Sequence, residues 1–204
     1  AECSCFQGNC PSREDRYVVC PSGFWGYRHY LGMPHSVKDS PFAPAEIFYS
    51  DKPEVAVATW TDVDFKYRVN HINNLKAWNN INWKFAEDRK STINLLKDKQ
   101  LSMVYFYCHG GMSNSFPYLL VGKDRNELIV PSLIRSEDIF WEDSHPLVFI
   151  NGCHTTSLSP EQTLNFVSAF VENALCAGVI GTEITIFEQL AVDFSTAFFK
   201  RFTN

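Results

Sequence analysis

The sequence predicts an α/β fold, with a mostly parallel central sheet, helices on both of its faces and a β-hairpin beside it. Three observations carry this. Short apolar runs of strand length recur along the chain, and segments with apolar spacings of three and four residues alternate with them. Two of the apolar runs end abruptly in glycine-containing segments that carry histidine and cysteine, Cys108-His109-Gly110-Gly111 and Asn151-Gly152-Cys153-His154. The 204 residues, 45% hydrophobic and 20% charged, suit one packed domain with a small attachment.

Residues 1–53 lack this pattern. They hold four of the seven cysteines and six of the ten prolines, and read as an irregular N-terminal attachment ahead of a domain spanning 54–204. The first strand is Glu54–Trp60. Phe65, Val69, Ile72, Leu75 and Trp78 then mark one face of a helix over 62–79. A brief strand over 81–85 precedes a helix over 88–97, with Ile93, Leu95 and Leu96 inward. Met103–Cys108 is a strongly apolar strand that ends in a turn at His109-Gly110-Gly111. Runs at 118–121 and 127–130 flank Gly122-Lys123-Asp124-Arg125-Asn126 and predict the hairpin. Met112–Phe116 reads either as a flap or as a fixed connection.

Leu147–Ile150 is a further buried strand. Ser159-Pro160-Glu161-Gln162 has the N-cap chemistry of a helix start, and the helix runs to about 176 on a stripe of Phe166, Ala169, Phe170, Asn173 and Ala174. A strand over 177–182 and a helix over 189–201 complete the chain.

The charge balance excludes some classes. With 23 acidic and 18 basic side chains the net charge is −5 and no basic run stands out, so nucleic acid would meet net repulsion. No apolar run reaches the roughly 18 residues of a membrane helix. The start lacks the basic and apolar regions of a signal peptide and an initiator Met, as expected of a processed chain or of a domain from a longer one. An odd cysteine count speaks against a complete disulfide framework and for a reducing, cytoplasmic setting.

In parallel sheets, sites form beyond the carboxyl ends of the strands. If the strands ending at Cys108 and Ile150 are neighbours, His109 and Cys153 face one crevice. A thiolate nucleophile needs an adjacent base, and imidazole can accept its proton and return it to a leaving amine. The backbone amides of Gly110 or Gly111 and of Cys153 are candidate oxyanion donors. Cys108 and His154 form the weaker pair, because in an extended strand the side chain before His109 points to the opposite face. His154 is a candidate groove residue. Cys176, amid apolar neighbours, reads as a structural thiol. No third catalytic residue is evident, and Asn151 reads as a turn residue that could also fix the loop geometry. Glu183 and Glu188 follow the strand that ends at Thr182; Glu183 could hydrogen-bond a loop, and Glu188 could sit in the first turn of the last helix.

Tyr105-Phe106-Tyr107-Cys108-His109-Gly110 together with Phe149-Ile150-Asn151-Gly152-Cys153 resembles the CHAT domain, a family grouped with caspases, separases and gingipains. Cys20-Pro21-Ser22-Gly23-Phe24-Trp25-Gly26, Val179-Ile180-Gly181-Thr182-Glu183 and the tail with Ala191, Phe194, Phe198 and Phe199 extend the resemblance in order over nearly the whole chain. The resemblance implies a caspase-like three-layer sandwich and cysteine endopeptidase activity, with His109 and Cys153 at the catalytic positions. It also implies a protein substrate, a regulatory domain or activating partner, and a setting in bacterial defence or cell-death signalling. Pockets with acidic walls take basic substrate residues in the wider group, which makes Glu183 and Glu188 candidates for such a wall here. A catalytically silent scaffold of the same fold is the alternative, disfavoured because the Cys, the His and the glycines are all present.

No cofactor is required for this chemistry. Cys3, Cys5, Cys10 and Cys20 could hold a structural zinc ion tetrahedrally, although their spacing lacks paired Cys-x-x-Cys knuckles. The six histidines show no metallohydrolase ligand motif.

Overall fold

The computed structural model describes residues 50–113, 116–152, 164–182 and 186–202. Its centre is a five-stranded sheet in which every pairing is parallel. In chain order the strands are β1 (Glu54–Thr59), β2 (Asn82–Ala86), β3 (Met103–Tyr107), β7 (Leu147–Asn151) and β8 (Gly178–Ile180), with spatial order β2-β1-β3-β7-β8. Between β3 and β7 the chain makes a second, three-stranded antiparallel sheet from β4 (His109–Ser113), β5 (Phe116–Leu120) and β6 (Leu128–Ile129). The helices are α1 (Arg68–Lys76), α2 (Arg89–Leu96), α3 (Pro131–Ser136), α4 (Leu164–Ser168, continued by a π-helical turn over Ala169–Asn173) and α5 (Glu188–Phe202).

Strand periodicity sorts the core onto the two faces of the sheet. Val55, Val57, Met103, Tyr105, Tyr107 and Phe149 pack with Ile72 and Leu75 of α1 and with Ala191 and Phe199 of α5. The intervening Ala56, Ala58, Val104, Phe106, Val148 and Ile150 pack with Ile93 and Leu96 of α2, Ile134 of α3, and Phe166 and Phe170 of α4. The architecture is therefore α/β with both faces covered, as the sequence predicts.

The order of strands has a functional consequence. After β1 the chain moves outward to β2; after β3 it moves the other way, to β7 and then β8. The connections diverge between the carboxyl ends of β1 and β3, which is where open α/β sheets form their ligand crevices.

Three expectations need correction. His109-Gly110-Gly111 is not a sharp turn but the start of β4, paired in register with Leu120, Leu119 and Tyr118. Met112 and Ser113 close that strand and Phe116 opens the next, so the described part of the segment belongs to two paired strands, while residues 114–115 lie outside the described range. The regular helix near residue 70 covers only 68–76, and Val69 on its expected inner face is exposed. His71 is fully buried in its place.

Candidate active site at the carboxyl edge of the sheet

β3 and β7 pair directly, Tyr107 opposite Asn151. Residues 108–109 and 152 thus leave the sheet side by side at the same edge. A cavity of about 200 Å³ opens there, lined by Asp64, Phe65, Cys108, His109, Asn151, Gly152, Ile186, Glu188 and Ala191.

His109 is half-exposed at the mouth of this cavity. Its ring contacts those of Phe65 and Trp60, with centroids 4.9 Å and 5.9 Å away. Its Nε2 lies 4.0 Å from Oδ2 of Asp64. Asp64 is itself held: the indole N–H of buried Trp60 donates to its Oδ1 at 2.9 Å, and Arg125 donates to its Oδ2 at 2.9 Å. The Trp60 hydrogen bond above all, with the charges of His109 and Arg125, keeps the Asp64 carboxyl below the ordinary carboxylate range. Asp64 was not legible as a site residue. Its only signal is its position a few residues beyond the end of β1, where the crevice rule places functional side chains.

Asn151 closes β7 and is buried. Its Nδ2 donates to the hydroxyl of Tyr105 at 3.0 Å and to the backbone carbonyl of Ala191 on α5 at 2.8 Å. This corrects the reading of Asn151 as a turn residue: it clamps the strand end that leads into Gly152 and Cys153. Tyr105 continues the network to His71 Nε2 at 3.0 Å. The Thr182 hydroxyl donates to the carbonyl of Gly152, joining the exit of β8 to the same loop.

Glu188 is the first residue of α5. Its carboxylate accepts from the backbone N–H groups of Lys66 (3.1 Å) and Tyr67 (2.7 Å) and from the Tyr107 hydroxyl (3.0 Å). It lines the cavity while tying α5 to the segment after β1. A carboxylate at a helix N-terminus is also favoured by the helix dipole.

Gly110 and Gly111 lie in β4, directly after His109, half-buried. A Cβ at Gly111 would approach the Tyr118 hydroxyl to 2.6 Å, so the ring of Tyr118 closes over a backbone that only glycine leaves bare. Cys108 is buried and packs on the face opposite Tyr107, as strand alternation requires. Cys176 is buried, its thiol pushed up to about 12 by burial and its Sγ donating to the Gly178 carbonyl, which fits an inert thiol. Cys153, His154 and Glu183, together with Cys3, Cys5, Cys10 and Cys20, lie outside the described residues. Among the described residues no three His, Cys, Asp or Glu side chains converge to hold a metal ion, and no helix is long and apolar enough to cross a membrane.

A protein from Vitiosangium sp. (strain GDMCC 1.1324), named a probable protease, is 46% identical over 208 residues, covering 97% of this chain. The chain spans 27% of that relative's length. No protein-family model matches. The crystal structure of the signal receiver domain of an HD domain-containing protein from Pseudomonas fluorescens Pf-5 aligns at a TM-score of 0.36 and 10% identity, over 78% of this chain and 99% of that one. A likeness of that size says nothing of function.

Proposed function

We propose that the chain is a cysteine endopeptidase in which His109 is the general base and Cys153 the nucleophile. The observation that carries this reading is the direct β3–β7 pairing. It brings the residue after Cys108 and the two residues before Cys153 to one strand edge, around a cavity that His109, Asn151 and Gly152 line. The 46% identity to a protein named a probable protease supports the same class of chemistry.

The reaction would run through a thioester. The Cys153 thiol gives its proton to His109, and the sulfur attacks the carbonyl carbon of the scissile peptide bond. Backbone amides, with those of Gly110 or Gly111 and Cys153 as candidates, take the charge that develops on oxygen. The tetrahedral adduct collapses as the C–N bond breaks and the imidazolium proton passes to the departing amine. Water then gives a proton to His109 and its hydroxyl to the acyl carbon. The C–S bond breaks, and the sulfur recovers its proton from the imidazolium. Glu188, and Glu183 nearby in sequence, favour a substrate with a basic residue before the cut. Because Glu188 already accepts three hydrogen bonds, it would act through its charge rather than as a flexible ligand. A regulated bacterial protease acting in defence or cell death, under an activating domain or partner, is the biological form of this proposal.

Cleavage mapping on a mixed peptide library tests it. Cys153→Ala and His109→Ala should each lower kcat/KM by about 1,000-fold or more, with wild-type cuts falling after Lys or Arg. Equal cleavage by wild type and Cys153→Ala would refute the assignment.

A further inference from the structure

We infer that Asp64 is a positioning residue for His109, its Oδ2 fixing the imidazole through Nε2 so that Nδ1 is the nitrogen left to act as the base. The inference rests on the function proposed above and adds a third member to a site that the sequence reads as a dyad.

Geometry carries it. His109 Nε2 and Asp64 Oδ2 are 4.0 Å apart, an electrostatic contact that is longer than a hydrogen bond. Catalytic contacts are often long in the free enzyme and tighten with substrate. The imidazole cannot swing freely, because the rings of Phe65 and Trp60 contact it. Asp64 cannot swing either: its Oδ1 is occupied by the indole N–H of Trp60, and Trp60 is buried at the end of β1. Only Oδ2 remains to turn towards the histidine. The two residues come from the carboxyl ends of β1 and β3, the strands between which the chain changes direction. Their meeting follows from the sheet order rather than from a loop accident.

Arg125 makes the arrangement adjustable. It donates to the same Oδ2 at 2.9 Å, and its guanidinium lies over the Trp60 ring, 5.6 Å from the centroid. Arg125 sits between β5 and β6 and is largely exposed. The Asp64 oxygen that faces His109 is thus shared with a cation on a separate sheet. Loss of that cation would give the carboxylate wholly to the imidazole.

A purely structural role for Asp64, as an anchor for Arg125 and Trp60, predicts lost stability with kcat kept in any variant that folds. The positioning role predicts lost kcat in a protein that folds normally. Asp64→Asn keeps an acceptor for the Trp60 indole N–H, so a loss of kcat in it reports the carboxylate. Arg125→Gln removes the cation from Asp64 Oδ2 and should leave kcat/KM at or above the wild-type value. On a peptide that wild type cleaves, Asp64→Asn should lower kcat/KM by about 10- to 100-fold, chiefly in kcat. Asp64→Glu, which keeps the carboxylate, should restore part of the activity. Thermal unfolding checks that the variants fold.

An active wild type with Asp64→Asn indistinguishable from it in kcat would overturn the role of Asp64 alone. A wild type with neither Cys153-dependent cleavage nor enhanced alkylation of Cys153 by iodoacetamide would overturn the proposed function, and the role of Asp64 with it.

Discussion

Asn151 shows how a single side chain can tie a strand end to two neighbouring elements. Its Nδ2 bridges β3 and α5 by bonding Tyr105 and the Ala191 carbonyl. Its Oδ1 is buried without a partner among the described residues. Truncation would leave the Ala191 carbonyl without this donor in the core, a desolvation cost of about 1–3 kcal/mol. Asn151→Ala should therefore lower the unfolding free energy by about 2 kcal/mol in a denaturant titration. It should also lower kcat more than KM, since the strand end it releases leads in sequence to the proposed nucleophile. Asn151→Asp keeps the shape but loses the donor, and should unfold at least as easily, because a buried carboxylate would then sit among neutral groups.

At the scale of elements, the hairpin and the helices meet the site through a few backbone contacts. Gly122 follows β5 and has φ +77°; a Cβ there would lie 2.8 Å from the Glu87 carbonyl oxygen and 2.9 Å from the Asp88 Cα. Through this close approach the Gly122 N–H reaches the Thr59 carbonyl and the Gly122 carbonyl accepts from Thr61, so the small sheet is sewn to the exit of β1. Gly122→Ala meets both backbone strain and two backbone clashes. It should cost roughly 2–4 kcal/mol of stability, read by thermal and denaturant unfolding. It should also loosen the Arg125–Asp64 pair carried on the same hairpin. The strands, their buried faces and the two site segments at strand ends were legible in the sequence, because apolar runs and glycine-bearing strand ends are local signals; that β3 and β7 are neighbours was only a condition there, since pairing is not local. β4 was not legible: His109-Gly110-Gly111 has turn composition, and only the partner strand β5 makes it extended. Asp64 was hidden for a related reason. An exposed-looking Asp in Asp62-Val63-Asp64 acquires a role only when β1 and β3 are laid side by side. The short helix α3, with Pro131 at its first position, offered the usual N-terminal cue but too few apolar repeats to be seen.

The molecule as a whole stores a pH dependence beneath the site. His71 on α1 has no exposed surface, and burial pushes its imidazole down from 6.5 to about 4. Among the described residues its contacts offer an imidazolium no anion. The Tyr105 hydroxyl contacts Nε2 at 3.0 Å, Ser195 lies 3.4 Å from the same atom, and the ring of Tyr107 lies 4.7 Å away. Burial raises both tyrosines, so they stay neutral. Glu188 enters this network only at the far side, through the Tyr107 hydroxyl. The folded protein therefore requires His71 neutral, whereas the unfolded chain lets it protonate near 6.5. Above that pH both states bind no proton and stability is full. As pH falls from about 6.5 towards 4, the unfolded state binds more protons and stability declines. The hydrogen-bonded carboxylates Asp64 and Asp88 are held below their ordinary 3.8, Asp64 first by the Trp60 N–H and Asp88 first by the Ser91 backbone N–H. Their contributions are lost only at lower pH. Between pH 7.5 and 4.5 the histidine contribution amounts to roughly 2–3 kcal/mol. His71→Gln supplies a neutral acceptor that does not titrate, so its unfolding free energy should fall less across that interval, by about this difference. Equal falls for variant and wild type would mean that His71 opens to solvent before the rest of the fold gives way.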